Sequence, residues 1–101
     1  MGFEERYGKG YSRICAIAHK RTNQLCCCCL SAKSEEIHHA LYGFDVIGWS
    51  IFPVCKECHT KICHNKENWI VDEDNPVWNN RNNLNFLKKL RDNYLQARSI
   101  N

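Results

Sequence analysis

Two C-x-x-C pairs are the feature that most limits the folds open to this chain. Cys26 and Cys29 form the first pair within a run of four cysteines, and Cys55 and Cys58 form the second in the sequence CKEC. One C-x-x-C turn can present two thiolates from a single loop, and a tetrahedral zinc ion takes four thiolates. The two pairs therefore predict a structural zinc site that ties the front of the chain to its middle.

The length of the chain makes such a site useful. A chain of 101 residues has room for one domain, and it buries a smaller share of its surface than a longer chain does. The binding free energy of a structural zinc ion, on the order of 10 kcal/mol, becomes folding free energy because the unfolded chain lacks the site. We expect a single zinc-stabilised domain over residues 1–101.

Eight cysteines would also fit the disulfide framework of a secreted protein. Residues 1–13 contain scattered charges and no apolar segment, unlike a secretory signal. No window approaches the roughly 18 consecutive apolar residues of a membrane span. We therefore expect a cytoplasmic protein with reduced thiols. Cys15, Cys27 and Cys28 are predicted as buried small side chains, although Cys27 or Cys28 could replace a ligand of the first pair.

The remaining pattern predicts a small α+β domain. Ile14, Ile17 and Ala18 at helical spacing predict an N-terminal helix within residues 12–25. Strands are expected at 37–41 and 49–54, separated by a loop with Gly43 and Gly48, and a short helix at 58–65. The first cysteine pair, the two strands and the short helix form the core of the domain, residues 26–64, and the N-terminal helix precedes it.

Residues 65–101 are predicted to contain an Asn-rich irregular segment and then a helix. We expect the segment to pack through its apolar side chains, which are Trp69, Ile70, Val71, Pro76, Val77 and Trp78. The helix is expected at 83–97, with Asn82 or Asn83 as its cap. The side chains predicted on its buried face are Leu84, Leu87, Leu90, Tyr94 and Leu95.

Four of the five histidines lie between residues 37 and 64. His38 and His39 are adjacent on a predicted strand, so they point to opposite faces and cannot easily bind the same ion. His59 directly follows the second cysteine pair, and Cys63 at i+4 would share its helix face. His64 could join His59 only if the helix ends or distorts there. The isolated His19 is predicted to be a solvated helix residue.

The order C-x-x-C, EIHHAL, a glycine-bearing loop and SIFPVCKECH resembles the HNH endonucleases over about residues 12 to 64. The resemblance implies a ββα-metal (His-Me finger) fold, in which a hairpin and a helix clasp a divalent cation beside a four-cysteine zinc. It implies that His38 and His59 bind the cation and that His39 is the general base. Some relatives carry a further histidine ligand where this chain has Cys63, so His64 or Cys63 is expected to complete the site.

The resemblance also implies a mechanism. A neutral imidazole at position 39 can accept the proton of a water molecule near neutral pH. The cation, Mg²⁺ or Mn²⁺ with Zn²⁺ and Ni²⁺ also suited to histidine ligands, would neutralise charge on the phosphate. Ser50 stands where the family has an asparagine that braces the loop holding the base, and a serine side chain has shorter reach and fewer donors.

A net charge of +3 fits a polyanionic partner. Lys56, Lys61 and Lys66 are the expected DNA contacts, and the further cations are Arg81, Lys88, Lys89 and Arg91. Phosphate contacts carry no sequence information. The sequence therefore predicts a metal-dependent DNA endonuclease with limited sequence preference and no small-molecule cofactor. The alternative is a non-catalytic zinc module that binds nucleic acid or a protein.

Overall fold

A computed structural model describes residues 9–70 and 82–99 of the chain. Helix α1 (Lys9–Arg21) precedes an antiparallel pair of strands, β1 (Glu36–His39) and β2 (Ile51–Val54). Helix α2 begins with an α-helical turn (Lys56–Cys58) and continues as a π-helical segment (His59–Cys63). A 3₁₀ turn (Lys66–Asn68) follows, and helix α3 (Leu84–Ser99) ends the described chain. The predicted α+β class is confirmed at this level.

Helix α1 is displaced from the predicted range. It begins before residue 12 and ends at Arg21, whereas the prediction extended to residue 25. Asn23 and Gln24 have positive φ angles of 56° and 61°, which a right-handed helix does not allow. The helix therefore ends here and the chain turns towards the first cysteine pair. Asparagine tolerates this conformation better than most residues.

The two strands form a short hairpin at the centre of the molecule. Glu36 faces Val54, His38 faces Phe52 and His39 faces Ile51. Both strands are shorter than predicted, because the chain leaves the ladder directly after His39 and returns to it only at Ile51. Pro53 lies inside β2, which is tolerated because each strand of a two-stranded sheet has one open edge.

Helix α3 buries a different face from the one predicted. Leu84 and Leu95 are 81% and 59% exposed, and the helix instead buries Phe86 and Ala97 with Leu87, Leu90 and Tyr94. At about 100° per residue, Leu84 and Leu95 lie well outside the sector that these side chains share. Asn83 caps the helix, since its Oδ1 accepts the N–H of Phe86 at 2.9 Å.

The irregular segment before α3 is described only in part. Trp69 and Asn82 form an isolated antiparallel bridge that joins its two described ends. The predictions made for Val71, Pro76, Val77, Trp78 and Arg81 lie outside the described residues. None of the helices within residues 9–70 and 82–99 has the length and apolar character needed to cross a membrane.

Candidate metal centres

The two cysteine pairs come together as predicted. The Sγ atoms of Cys26, Cys29, Cys55 and Cys58 all lie within 4.8 Å of one another. Four thiolates at about 2.3 Å from a tetrahedral zinc ion would be separated by about 3.8 Å. The four cysteines, which we call the cysteine group, could therefore hold a zinc ion with little movement of their side chains.

Backbone N–H groups surround the sulfur atoms of the cysteine group. Cys26 Sγ accepts the N–H of Cys28 at 3.3 Å, and Cys55 Sγ accepts the N–H of Cys58 at 3.4 Å. Ala32 donates its N–H to Cys29 Sγ at 3.3 Å. Hydrogen bonds to a sulfur favour its charged form, so each turn is arranged to carry thiolates.

Burial acts in the opposite direction on the same thiols. It raises the pKa of Cys26 and of Cys58 above the ordinary value for a thiol. At Cys29, which is exposed, burial also raises the pKa, but hydrogen bonds from the N–H groups of Ala32 and Ser31 and with the thiols of Cys26 and Cys58 together lower it. A bound cation would offset the free-energy cost of placing four thiolates close together where three of them are buried.

The other cysteines of the run stay outside the cysteine group. Cys27 is fully buried, and burial raises its pKa to about 12. A hydrogen bond with the Cys63 thiol lowers the pKa of Cys28 to about 7. Cys63 is fully buried in the hydrophobic core that also contains Cys27. It does not belong to the group formed by His38, His59 and His64.

Three histidines form a second group of possible metal ligands. Ring nitrogens of His38, His59 and His64 all lie within 4.8 Å of one another. The ring centroids are 5.3 Å apart for His38 and each of the other two, and 4.7 Å apart for His59 and His64. These residues, which we call the histidine group, could also hold a metal ion.

The π-helical segment explains why His64 belongs to this group. In a regular α-helix His64, at i+5, would lie roughly 140° around the axis from His59. The segment His59–Cys63 is π-helical and ends at His64, so more residues fill each turn and positions five apart come closer together. The sequence predicted that His64 could join His59 only if the helix ended or was distorted, and the π-helical segment is such a distortion.

His38 is 2% exposed, and its two ring nitrogens have different surroundings. Nε2 is hydrogen-bonded to Oδ1 of Asn82, whereas Nδ1 is buried with no hydrogen-bond partner among the described residues. Burial is the main cause that lowers the pKa of His38 to about 3, so the ring is neutral. A neutral ring with an unpaired buried nitrogen is suited to binding a cation.

Asn82 determines which nitrogen of His38 keeps its lone pair. Its Nδ2 donates to the carbonyl oxygens of Cys63 and Asn68, both at 3.0 Å. Because the amide nitrogen is used in this way, Oδ1 faces His38 and accepts a hydrogen bond from the Nε2–H group. The lone pair of His38 is therefore on Nδ1, in the direction that has no partner in the described chain.

Glu36 acts in a similar way on His59. Its Oε1 lies 3.0 Å from Nδ1 of His59. A carboxylate that accepts a hydrogen bond from one ring N–H leaves the other nitrogen available for a metal and increases its basicity. Both His38 and His59 are thus held by a hydrogen-bonding partner, and His64 is the exposed member of the group.

His39 points to the opposite side of β1 from His38, as the strand prediction required. Its Nε2 lies 3.6 Å from Oδ1 of Asp45. Ser50 is fully buried, and its hydroxyl donates to the carbonyl of Phe44 at 2.9 Å and accepts the N–H of Val46 at 2.8 Å. Ser50 therefore fixes the backbone on both sides of Asp45.

The predicted cationic contacts are on the surface. Lys56, Lys61 and Lys66 are all exposed. Nζ of Lys61 lies 3.5 Å from Glu57 Oε1 in an exposed pair, and such pairs hold their partners weakly.

His19 differs from its prediction as a solvated helix residue, since it is half-buried with Nδ1 at 2.7 Å from Ser34 Oγ.

The sequence predicted no role for Glu36 or Asp45, and it predicted Asn82 only as a possible helix cap. The position of Glu36 could have been predicted from the sequence. Glu36 stands two residues before His38, and positions two apart on a strand share a face. The roles of Asp45 and Asn82 could not be predicted in this way. The position of Asp45 depends on loop geometry, and Asn82 contacts a residue 44 positions away in the chain.

A comparison of the chain with protein-family models, curated proteins and solved structures gives no match.

Proposed function

We propose that the protein is a metal-dependent DNA endonuclease of the HNH type, in which β1, β2 and α2 form a ββα-metal core. The observation that carries the proposal is the buried Nδ1 of His38, which has no partner in the described part of the chain and lies beside His59 and His64. A nitrogen buried in this way costs free energy unless something binds it.

The proposed ligands of the divalent cation are His38, His59 and His64. Three imidazoles suit Zn²⁺ or Ni²⁺, whereas Mg²⁺ or Mn²⁺ would need oxygen ligands from water and the phosphate as well. When bound, the cation would neutralise charge on the scissile phosphate and on the departing 3′ oxygen. The cysteine group would hold a separate, structural zinc ion.

His39 is the proposed general base. It accepts a proton from a water molecule whose oxygen bonds to the phosphorus. The bond from phosphorus to the 3′ oxygen breaks, and that oxygen takes up a proton from solvent water. Asp45, 3.6 Å from His39 Nε2, orients the ring and stabilises the imidazolium that forms. Ser50 keeps the Asp45 loop in place, and the products carry 5′-phosphate and 3′-hydroxyl ends.

The DNA backbone is the proposed partner of the exposed lysines. Lys56 and Lys61 lie on α2, which also carries His59, and Lys66 follows in the next turn. Cations placed on the helix that bears a metal ligand would bring the phosphate backbone to the site without reading its sequence.

A plasmid-nicking assay tests the proposal with Mg²⁺, Mn²⁺, Zn²⁺ and Ni²⁺ added in turn. The wild type is expected to nick the plasmid, and His39→Ala is expected to lose roughly 100-fold or more of the rate. His19→Ala is the matched control, since it removes a histidine outside both groups. Zinc content and circular dichroism confirm that each variant is folded. A folded wild type without cleavage under any cation would favour the alternative, a non-catalytic zinc module.

A further inference from the structure

The chain between the two strands carries a concentration of exposed aromatic side chains. Tyr42, Phe44 and Trp49 are 39%, 46% and 52% exposed, and Val46 between them is 49% exposed. The other exposed large hydrophobic side chains of residues 12–70 and 82–99 are aliphatic and scattered: Ile17, Ile62, Leu84 and Leu95. Within these residues the exposed aromatic side chains therefore lie in residues 42–49, which we call the aromatic loop.

The aromatic loop is held firmly at its base. Gly48 has a φ of +82°, and a Cβ at this position would fall on the ring of Tyr94 in α3. The loop can therefore approach α3 only with a glycine here. Ser50 ties down the backbone of Phe44 and Val46. The exposed rings are carried by a fixed backbone, so little conformational freedom would be lost when they bind a partner.

Trp49 is paired with a cation. The guanidinium carbon of Arg91 lies 3.4 Å from the centroid of the indole ring, and Arg91 Nε donates to the Trp49 carbonyl at 3.1 Å. Lys88 and Lys89 are exposed on the same helix, within one turn of Arg91. Exposed aromatic rings beside positive charge are the combination that binds single-stranded nucleic acid, because bases stack on the rings and phosphates pair with the cations.

The loop also reaches the proposed general base. The ring of Tyr42 is stacked on that of His39, with centroids 5.9 Å apart and an angle of 8° between the planes. A strand whose bases rest on the aromatic loop would therefore have its backbone close to His39.

We propose that the aromatic loop is a stacking platform for unpaired bases, so that the protein prefers single-stranded DNA to a fully paired duplex. This inference rests on the proposed function only for the statement that the bound strand is a substrate. In a duplex the base faces are already stacked on one another and cannot reach the rings. The lysines of α2 act on the backbone charge of either form, whereas the aromatic loop distinguishes the two.

Binding measured by fluorescence anisotropy tests the platform separately from cleavage. The probes are a labelled single-stranded oligonucleotide and the duplex made with its complement, with zinc-loaded protein and no other divalent cation. Phe44→Ala and Trp49→Ala are expected to weaken single-strand binding by at least about five-fold. Trp49→Phe, which keeps a ring, should recover most of it. Leu84→Ala, which removes an exposed apolar side chain elsewhere, is the control.

An equal loss on both probes, or no loss on either, would overturn the platform. So would a change in sedimentation of Trp49→Ala without a change in DNA binding, since the loop would then be a surface for self-association. If Trp49→Ala does not fold, Phe44→Ala decides. Cleavage without a Trp49-dependent preference would remove only this inference, and a preference without cleavage would remove only the nuclease proposal.

Discussion

The cysteine group and the histidine group are supported in different ways by the rest of the chain. The cysteine group consists of two local turns, and each turn supplies its own backbone N–H donors to its sulfur atoms. The histidine group depends on distant residues, since Asn82 and Glu36 hold His38 and His59 from other parts of the chain. A self-contained site can be read from spacing, whereas a site held by distant partners requires the fold.

The difference also concerns what each group could do. Four thiolates complete a tetrahedral zinc site and leave no position open, which suits a structural role. Three imidazoles leave coordination positions for water or a phosphate. We therefore expect variants of the cysteine group to affect folding first and variants around the histidine group to affect cation binding first.

The largest expected effect is the loss of one cysteine ligand. Cys26→Ser should lose zinc and fail to fold, because the zinc site contributes on the order of 10 kcal/mol, comparable with the whole stability of a small domain. Zinc analysis and thermal denaturation followed by circular dichroism measure this. Cys15→Ser, which changes a cysteine outside the group, should retain both the metal and the melting temperature. A Cys26→Ser protein that kept its zinc would show that another cysteine of the run is the ligand.

The second effect separates the two groups. Asn82→Ala leaves the Nε2 proton of His38 and two backbone carbonyls without their partner, which should lower the free energy of unfolding by roughly 2 to 4 kcal/mol. Cation binding at the histidine group should weaken by about 10- to 100-fold, while the cysteine group keeps its zinc. Urea denaturation and calorimetric titration measure these quantities. Asn85→Ala, an exposed position in the first turn of α3, is the control and should change neither.

The third effect is a pH dependence that belongs to His38. Burial lowers its pKa to about 3, so between pH 6.5 and 3 the unfolded chain holds a proton that the folded chain does not. Stability should therefore fall as the pH drops below 6.5, by about 1.4 kcal/mol per pH unit from this residue. Acid release of zinc from the cysteine group adds to the fall in every variant. Urea denaturation of the wild type and His38→Gln isolates the histidine part, and parallel curves for the two would show that His38 titrates normally.

The smallest effect concerns the support of His59. Glu36→Gln keeps the shape of the side chain but removes the charge that makes His59 a better ligand, so cation affinity should fall by about ten-fold. Stability should change by less than about 1 kcal/mol, because the Glu36 carboxylate is partly exposed. Glu35→Gln, the neighbouring exposed carboxylate, is the control. Equal affinities for the two variants would mean that the contact between Glu36 and His59 does not support a metal ligand.

The sequence was sufficient where the determinants are local. Spacing predicted the opposite faces of His38 and His39 and the meeting of the two cysteine pairs. It left Cys27 or Cys28 open as a replacement ligand and Asn82 open beside Asn83 as the cap of α3, which is Asn83 in the structure. The buried face of α3 did not follow, because apolar leucines at the helix ends resemble core residues until the packing excludes them. Inclusion of His64 required the π-helical segment, and the partnership of Asn82 with His38 required two parts of the chain to meet.

Zinc stoichiometry tests the central claim, two separate metal centres, most directly. After equilibrium dialysis against buffered Zn²⁺, the wild type should contain two zinc ions per chain. His59→Ala should contain one, held by the cysteine group. A single zinc ion in both proteins would contradict the claim that the histidine group binds a second cation, and two in both would place the second ion elsewhere.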